Sequence, residues 1–214
     1  MKLYRRVFGP GCLLTVLIVC ACLAAQNAPN FSIPQFSSDF SIVNAKMSKE
    51  QPMNGKMFSN GDKIRIDMTV HGQQVSTILD RKNQTSDVLM HAQRMYLESN
   101  LQADAAGTYL PKLEAYDPSN PCATQKDYTC KKIGTETING RVCDKWLFSG
   151  SNGDQTVWID QKLHLPVRTE QADGSSFEMK NIQEGAQPSS TFEIPAGYHK
   201  LDAAGMGAMM NRQR

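Results

Sequence analysis

Met90 and His91 are followed closely by Met95, His71 stands upstream, and Met206, Met209 and Met210 lie near the C-terminus. Thioether is a soft donor that suits a monovalent copper ion, and imidazole also binds copper. The spacing has a plainer origin. Met53, Met57, Met68, Met90 and Met95 fall on one parity of alternating segments, and His71 and His91 stand at turns, where imidazoles face water. No metal and no cofactor are therefore expected.

The cysteines divide by position. Cys12, Cys20 and Cys22 lie in an N-terminal apolar stretch, whereas Cys122, Cys130 and Cys143 lie in the body of the chain. Cys122 and Cys130 bracket a short loop and can close it as a disulfide in an oxidising compartment. Cys143 falls on an expected strand opposite Glu136, which reads as a buried free thiol and disfavours the alternative bond to Cys130. Three cysteines without a histidine cluster make no zinc site.

Catalytic constellations are missing. There is no Gly-x-Ser-x-Gly elbow, phosphate loop or His-Glu-x-x-His, and Asp67, Asp80, Glu136 and Asp160 fall on expected polar faces or turns. No catalytic residue is assigned. No basic stripe points to nucleic acid.

The elements that position these residues are strands. From Asp62 to Val70, Ile64, Ile66, Met68 and Val70 alternate with polar residues, the period of a strand with one buried face. His71-Gly72 is a two-residue turn, pairing Met68 with Val75, Ile66 with Thr77 and Ile64 with Leu79. Asn60-Gly61 sets Met57 opposite Ile64 and Met53 opposite Met68. Turns near Lys82-Asn83 and Ala92-Gln93 set Thr77 opposite Val88, Val75 opposite Met90, Met90 opposite Met95 and Val88 opposite Leu97. One apolar face then runs across five strands between Met53 and Leu97, because paired residues share a face.

A second face follows. Asn139-Gly140 pairs Ile133 with Trp146 and Thr137 with Val142. Asn152-Gly153 pairs Phe148 with Val157 and Trp146 with Ile159. Ile133, Val142, Trp146, Phe148, Val157 and Ile159 thereby line up. Another strand opens at Leu165-Pro166-Val167, and a turn at Asp173-Gly174 leads into Ser176 to Gln183. A simple register there fails to bring apolar residues together, so a bulge or longer loop is expected. The first strand runs from about Ser37 to Ala45, followed by a polar connection over 46–52. Residues 101–106 favour helix, and 99–130 would form a helical or loop lid. The count is about eleven strands.

Residues 1–25 carry Lys2, Arg5 and Arg6, an apolar run from Leu13 to Leu23, then Ala24 and Ala25, the pattern of a secretory signal peptide. Val19-Cys20-Ala21-Cys22 is alternatively a loose lipobox, with Cys22 the lipidated residue. Loss of 1–25 removes three positive charges from a net of +2, leaving −1. Residues 26–36 read as a polar leader, 37–202 as the folded domain and 203–214 as a disordered tail.

The order of segments carries a resemblance. Phe36 to Phe40, Gly61 to Asp67, the alternating Gly134, Glu136, Ile138 and Gly140, Val157 to Asp160, Leu165 to Val167 and Phe192 to Tyr198 together resemble the bacterial LolA and LolB lipoprotein-carrier superfamily. More closely, the chain is similar to an uncharacterised branch near that group, known as a domain of unknown function. The resemblance implies a mainly β (α+β) fold, an incomplete antiparallel barrel or half-pipe with a helical lid. It also implies an apolar ligand in the concave face.

The expectation is an exported, non-catalytic envelope protein, periplasmic or secreted, binding an acyl chain or lipid. Its cavity would be lined by Met57, Ile64, Ile66, Met68, Val75, Val88, Met90, Met95, Trp146, Phe148 and Ile159. The alternative is a protein-interaction module of the envelope with a filled barrel. Membrane attachment would follow only from lipidated Cys22, as an outer-membrane lipoprotein.

Overall fold

The computed structural model describes residues 33–45, 48–101, 116–117, 119–123, 127–151 and 153–201, without the side chains of 48–51. The expected signal peptide, most of the expected leader, the helix expected at 101–106 and the tail expected at 203–214 lie outside the described residues, Ile33 to Phe36 and Leu101 excepted. The chain divides into residues 1–30 and 31–214, and the fold below is that of the second unit.

Among the described residues twelve strands form one sheet. They are β1 (Gln35–Asn44), β2 (Ser48–Asn60), β3 (Lys63–Val70), β4 (Gln73–Asp80), β5 (Thr85–Met90), β6 (Met95–Asn100), β7 (Tyr128–Ile138), β8 (Arg141–Gly150), β9 (Gly153–Asp160), β10 (Pro166–Gln171), β11 (Ser176–Glu184) and β12 (His199–Lys200). The order is β12-β6-β5-β4-β3-β2-β1-β11-β10-β9-β8-β7. The sheet is therefore open: two meanders, β1 to β6 and β7 to β11, meet where β1 pairs with β11. All pairs are antiparallel except β12 on β6. This is the mainly β, incomplete barrel that the sequence predicts. A single 3-10 turn, Ser189–Phe192, is the only helical element among the described residues.

Local chemistry explains the turns. His71 and Gly72 both take positive φ, 49° and 76°, as do Asn139 and Gly140. These are the mirror-image hairpin turns whose twist matches the strands. Asn60-Gly61 behaves differently. Ser59 Oγ accepts from the Gly61 N–H at 3.1 Å and Asn60 Oδ1 from the Lys63 N–H at 2.7 Å. The loop is thereby longer, and Met57 pairs with Ile66 rather than Ile64, while Gly55 rather than Met53 faces Met68. A shift of two keeps every side chain on its face.

The β8–β9 hairpin shows the same slip. Gly150 pairs with Gly153, so Trp146 faces Val157 rather than Ile159, and Phe148 faces Gln155 rather than Val157. Ile133 does not pair with Trp146, because the β7–β8 register shifts between Lys132 and Gly134. Ile133 and Val142 are exposed instead of joining an apolar face. β2 begins at Ser48, inside the expected polar connection. The β10–β11 register resolves with Thr169 opposite Phe177.

The main core lies where the meanders meet. Phe36, Phe40, Ile42, Met57, Ile64, Ile66, Phe177 and Met179 pack with Ile33, Leu163 and Leu165. Phe40 and Phe177 stack at 6.2 Å. Gly55 makes this possible. A Cβ there would stand 2.7 Å from Phe40 Cε1, and closer still to Phe40 Cζ and the Asp67 carbonyl. The Phe40 ring thus lies over backbone that carries no side chain.

Candidate functional site

Pairing builds the first apolar face as three rows across β1 to β6. One row is Phe36, Ser59, Ile64, Leu79, Ser86 and Ser99. The next is Ser38, Met57, Ile66, Thr77, Val88 and Leu97, and the third is Phe40, Gly55, Met68, Val75, Met90 and Met95. No charged residue occurs in any row. Burial is graded across them. Phe36, Ser59, Ile64 and Ser86 are buried in the first row, whereas Met68, Val75, Met90 and Met95 of the third are only partly buried.

The expected lining residues therefore separate into three groups. Met57, Ile64 and Ile66 belong to the packed core. Met68, Val75, Val88, Met90 and Met95 form a partly open strip over β3 to β6. Trp146, Phe148 and Ile159 belong to a second cluster with Val157.

That second cluster is covered. Tyr116 meets the Phe148 ring edge-on at 5.9 Å, and Tyr128 lies 6.4 Å from it. Cys122 and Cys130 are bonded to each other, and both pack against the same cluster. The Tyr116 N–H donates to the His164 carbonyl at 2.8 Å, fastening the incoming chain. Tyr116, Cys122, Tyr128 and Cys130 of the 99–130 segment thus pack against the cluster on β8 and β9.

The other face of β3 to β6, expected to be solvated, is buried in its centre. Ser76, Ile78 and Leu89 are all within 2 % of complete burial, and the segment from Ser189 to Leu201 lies against this face. Arg65 Nη1 donates to the Thr191 carbonyl at 3.1 Å. His91 is not a free turn residue. Its Nε2 is 2.6 Å from Ser76 Oγ and its Nδ1 is 2.6 Å from the Tyr198 hydroxyl. Ser76 Oγ also donates to Asp67 Oδ1 at 2.6 Å and accepts from Arg65 Nη2 at 3.0 Å. The set is satisfied when Tyr198 donates to Nδ1 and Nε2–H donates to Ser76, which leaves the serine proton for Asp67. Serine beside histidine is a nucleophile's arrangement, but this hydroxyl has every bond used and is 1 % exposed. The network fastens the closing segment. Nothing local signals it, because Tyr198 is 107 residues from His91.

Two carboxylates expected on solvated faces are buried. Asp160 is held by the Arg141 guanidinium, and its Oδ1 accepts from the Lys162 and Leu163 N–H groups at 2.8 and 2.7 Å. Burial pushes its pKa up, but Arg141 and the two N–H groups outweigh that and leave it below 3.8. Arg141 also reaches Glu184 at 3.0 Å, tying β8, β9 and β11 together. Asp80 is likewise lowered, burial being outweighed by the Asn83 N–H and by Lys63 at 3.2 Å. Asp87 goes the other way. Burial first, and the charge of Glu98 opposite it second, raise its pKa, against weaker help from Lys200.

Trp158 is packed between Lys145 and Arg168, 4.7 and 5.1 Å from its ring, and its Nε1–H donates to Glu136 at 2.9 Å. Cys143 is buried, and burial with the nearby Asp160 charge pushes its thiol up to about 11. It is an inert packing group. Among the described residues no three His, Cys, Asp or Glu side chains converge as a metal site.

The same architecture occurs in solved structures. An uncharacterised conserved protein from Thermus thermophilus matches with a TM-score of 0.53 at 8 % identity, over 80 % of this chain and 91 % of that one. MucB matches with 0.53 at 14 % identity over 78 % of this chain, which spans only 59 % of MucB. The LolA superfamily protein NE2245 from Nitrosomonas europaea is also found, with 0.38 at 11 % identity, over 77 % of this chain and 92 % of that one. No curated protein matches in sequence. The model of a domain of unknown function, DUF4412, matches residues 42–164. That match covers more than half of the 214 residues and runs from β1 into the loop after β9. The chain belongs to the DUF4412 family.

Proposed function

We propose that this protein is an exported, non-catalytic binding protein of the cell envelope that takes an apolar ligand, an acyl chain or lipid, on the strip over β3 to β6. One observation carries the reading. The partly buried row of Met68, Val75, Met90 and Met95 continues a closed core outward without a charged residue. Methionine adapts to varied apolar shapes. Each buried methylene contributes about 0.8 kcal/mol before the entropic cost of binding. The Cys122–Cys130 bond suits an oxidising compartment. The residues of the packed core and of the covered β8–β9 cluster hold the fold and do not line the ligand.

A second reading rests on the same packing. Phe36, Phe40, Phe177, Leu163 and Leu165 fill the place where the two meanders meet. If the strip receives a segment of an envelope protein instead, the module is an interaction domain with a filled barrel. Native mass spectrometry of gently purified protein, before and after solvent extraction, separates the two. A co-purifying lipid mass that Met90→Asp abolishes in a folded variant supports the ligand reading. Bare protein that takes up no offered lipid supports the interaction module.

A further inference from the structure

Ser86 stands in the most deeply buried of the three rows, between Leu79 and Ser99 on the neighbouring strands. It is 0 % exposed, and among the described residues its Oγ has no hydrogen-bond partner. A buried hydroxyl without a partner is unfavourable by more than a buried methyl would be, so an orphan of this kind marks a place where a polar atom is missing. Alternation puts its side chain on the same face as Val88 and Met90. From Ser86 to Met90 the strand advances ~13 Å, from the closed row to the partly open one.

We infer that Ser86 Oγ is the polar anchor of the apolar site, and that the ligand is a neutral oxygenated chain, an alcohol or an ester. Its oxygen meets Ser86, and its hydrocarbon lies over Val88, Val75 and Met90. The inference rests on the ligand reading above and adds the ligand's chemical class. Neutrality follows from the surroundings. The three rows hold no charged side chain, and the ion pair of Lys63 with Asp80 lies on the opposite face. A carboxylate would lose its hydration there with no cation in the three rows to meet it, whereas one neutral oxygen exchanges a hydrogen bond with water for one with Ser86. A pure hydrocarbon leaves the hydroxyl unpaired.

The test uses the full chain labelled with carbon-13 in its methionine methyls, titrated with 1-dodecanol, dodecane and laurate. The expected result is that dodecanol shifts the Met90 and Met95 signals with an affinity about tenfold above that of dodecane or laurate. Ser86→Ala should lower dodecanol affinity about fivefold, leave dodecane unchanged and melt no lower than the parent. Ser86→Thr, which restores a hydroxyl, should recover most of the loss. Equal binding of dodecanol and dodecane, unaltered by Ser86→Ala, would overturn the anchor while leaving the apolar site standing. Tightest binding of laurate would overturn the neutral class. Binding of no probe by the parent chain would overturn the site and the anchor together.

Discussion

Replacing Asp160 by Asn removes one charge and almost no volume, which makes it a clean probe of how the second meander is held. The amide oxygen can still accept from Lys162 and Leu163, so the turn after β9 keeps its backbone bonds. What disappears is the ion pair with Arg141, whose guanidinium then faces an amide N–H. Breaking a buried pair from one side destabilises by about 3–5 kcal/mol. Arg141 keeps Glu184 and is itself 18 % exposed at the side chain, so water recovers part of its solvation. A loss of about 2 kcal/mol follows at neutral pH. The sign of the pH dependence is fixed as well. The folded pKa of Asp160 lies below its ordinary 3.8. Its stabilisation is therefore complete above 3.8 and vanishes as pH falls through the lowered value. Urea unfolding followed by the fluorescence of Trp146 and Trp158, from about pH 7 to about pH 2.5, should show the parent and variant midpoints converging on the acid side. A difference below about 0.5 kcal/mol at neutral pH, or one that persists unchanged in acid, would refute the argument.

Gly55→Ala should destabilise by about 2 kcal/mol, because the new methyl must displace the Phe40 ring from its stack on Phe177; thermal melting measures it. Asp87→Asn should raise the urea midpoint at neutral pH. Its folded pKa is raised, so the charged form opposite Glu98 costs stability that appears only as pH rises through that value. The gain should be absent in acid. Cys143 should react with a thiol reagent at pH 8 only at the rate of unfolding, since it is buried with its thiol pushed up to about 11. Tyr198→Phe removes the hydroxyl on His91 Nδ1 and should speed amide exchange over 189–201 while leaving β1 to β3 protected.

The first meander was legible in the sequence because its apolar residues alternate and its turns are short. Val75 faces Met90 and Met90 faces Met95, as alternation requires. Alternation fixes a face more firmly than a partner. At Asn60-Gly61 two side-chain hydrogen bonds lengthen the loop, and the pairing moves by two while the face survives. At Ile133 the bulge removes even that protection, and the residue turns to solvent. The burial of Ser76, Ile78 and His91 was not legible. It depends on a closing segment more than a hundred residues away, and on a two-residue parallel strand too short to carry any pattern. Asp160 and Asp80 read as surface groups for a different reason: their partners Arg141 and Lys63 stand on nearby strands, but nothing in an alternating pattern says which polar side chain is covered. In the candidate site, alternation and turn register located the apolar strip. It could not divide open methionines from packed ones, because the division follows from what covers each row.

The seam between β1 and β11 also governs how the chain reaches this structure. Ile42 pairs with Phe177, and Phe40 with Met179, across more than 130 residues of intervening chain. Every other antiparallel neighbour is consecutive in sequence, so each meander can zip from its own turns within microseconds per hairpin. The seam instead demands closure of nearly the whole domain before its contacts are gained. The main core sits on that seam, so the largest apolar burial arrives in the step with the greatest entropic barrier. Until then both halves present unpaired strand edges and the aromatic rings of Phe40 and Phe177 to their surroundings. That interval is when a chaperone has something to hold.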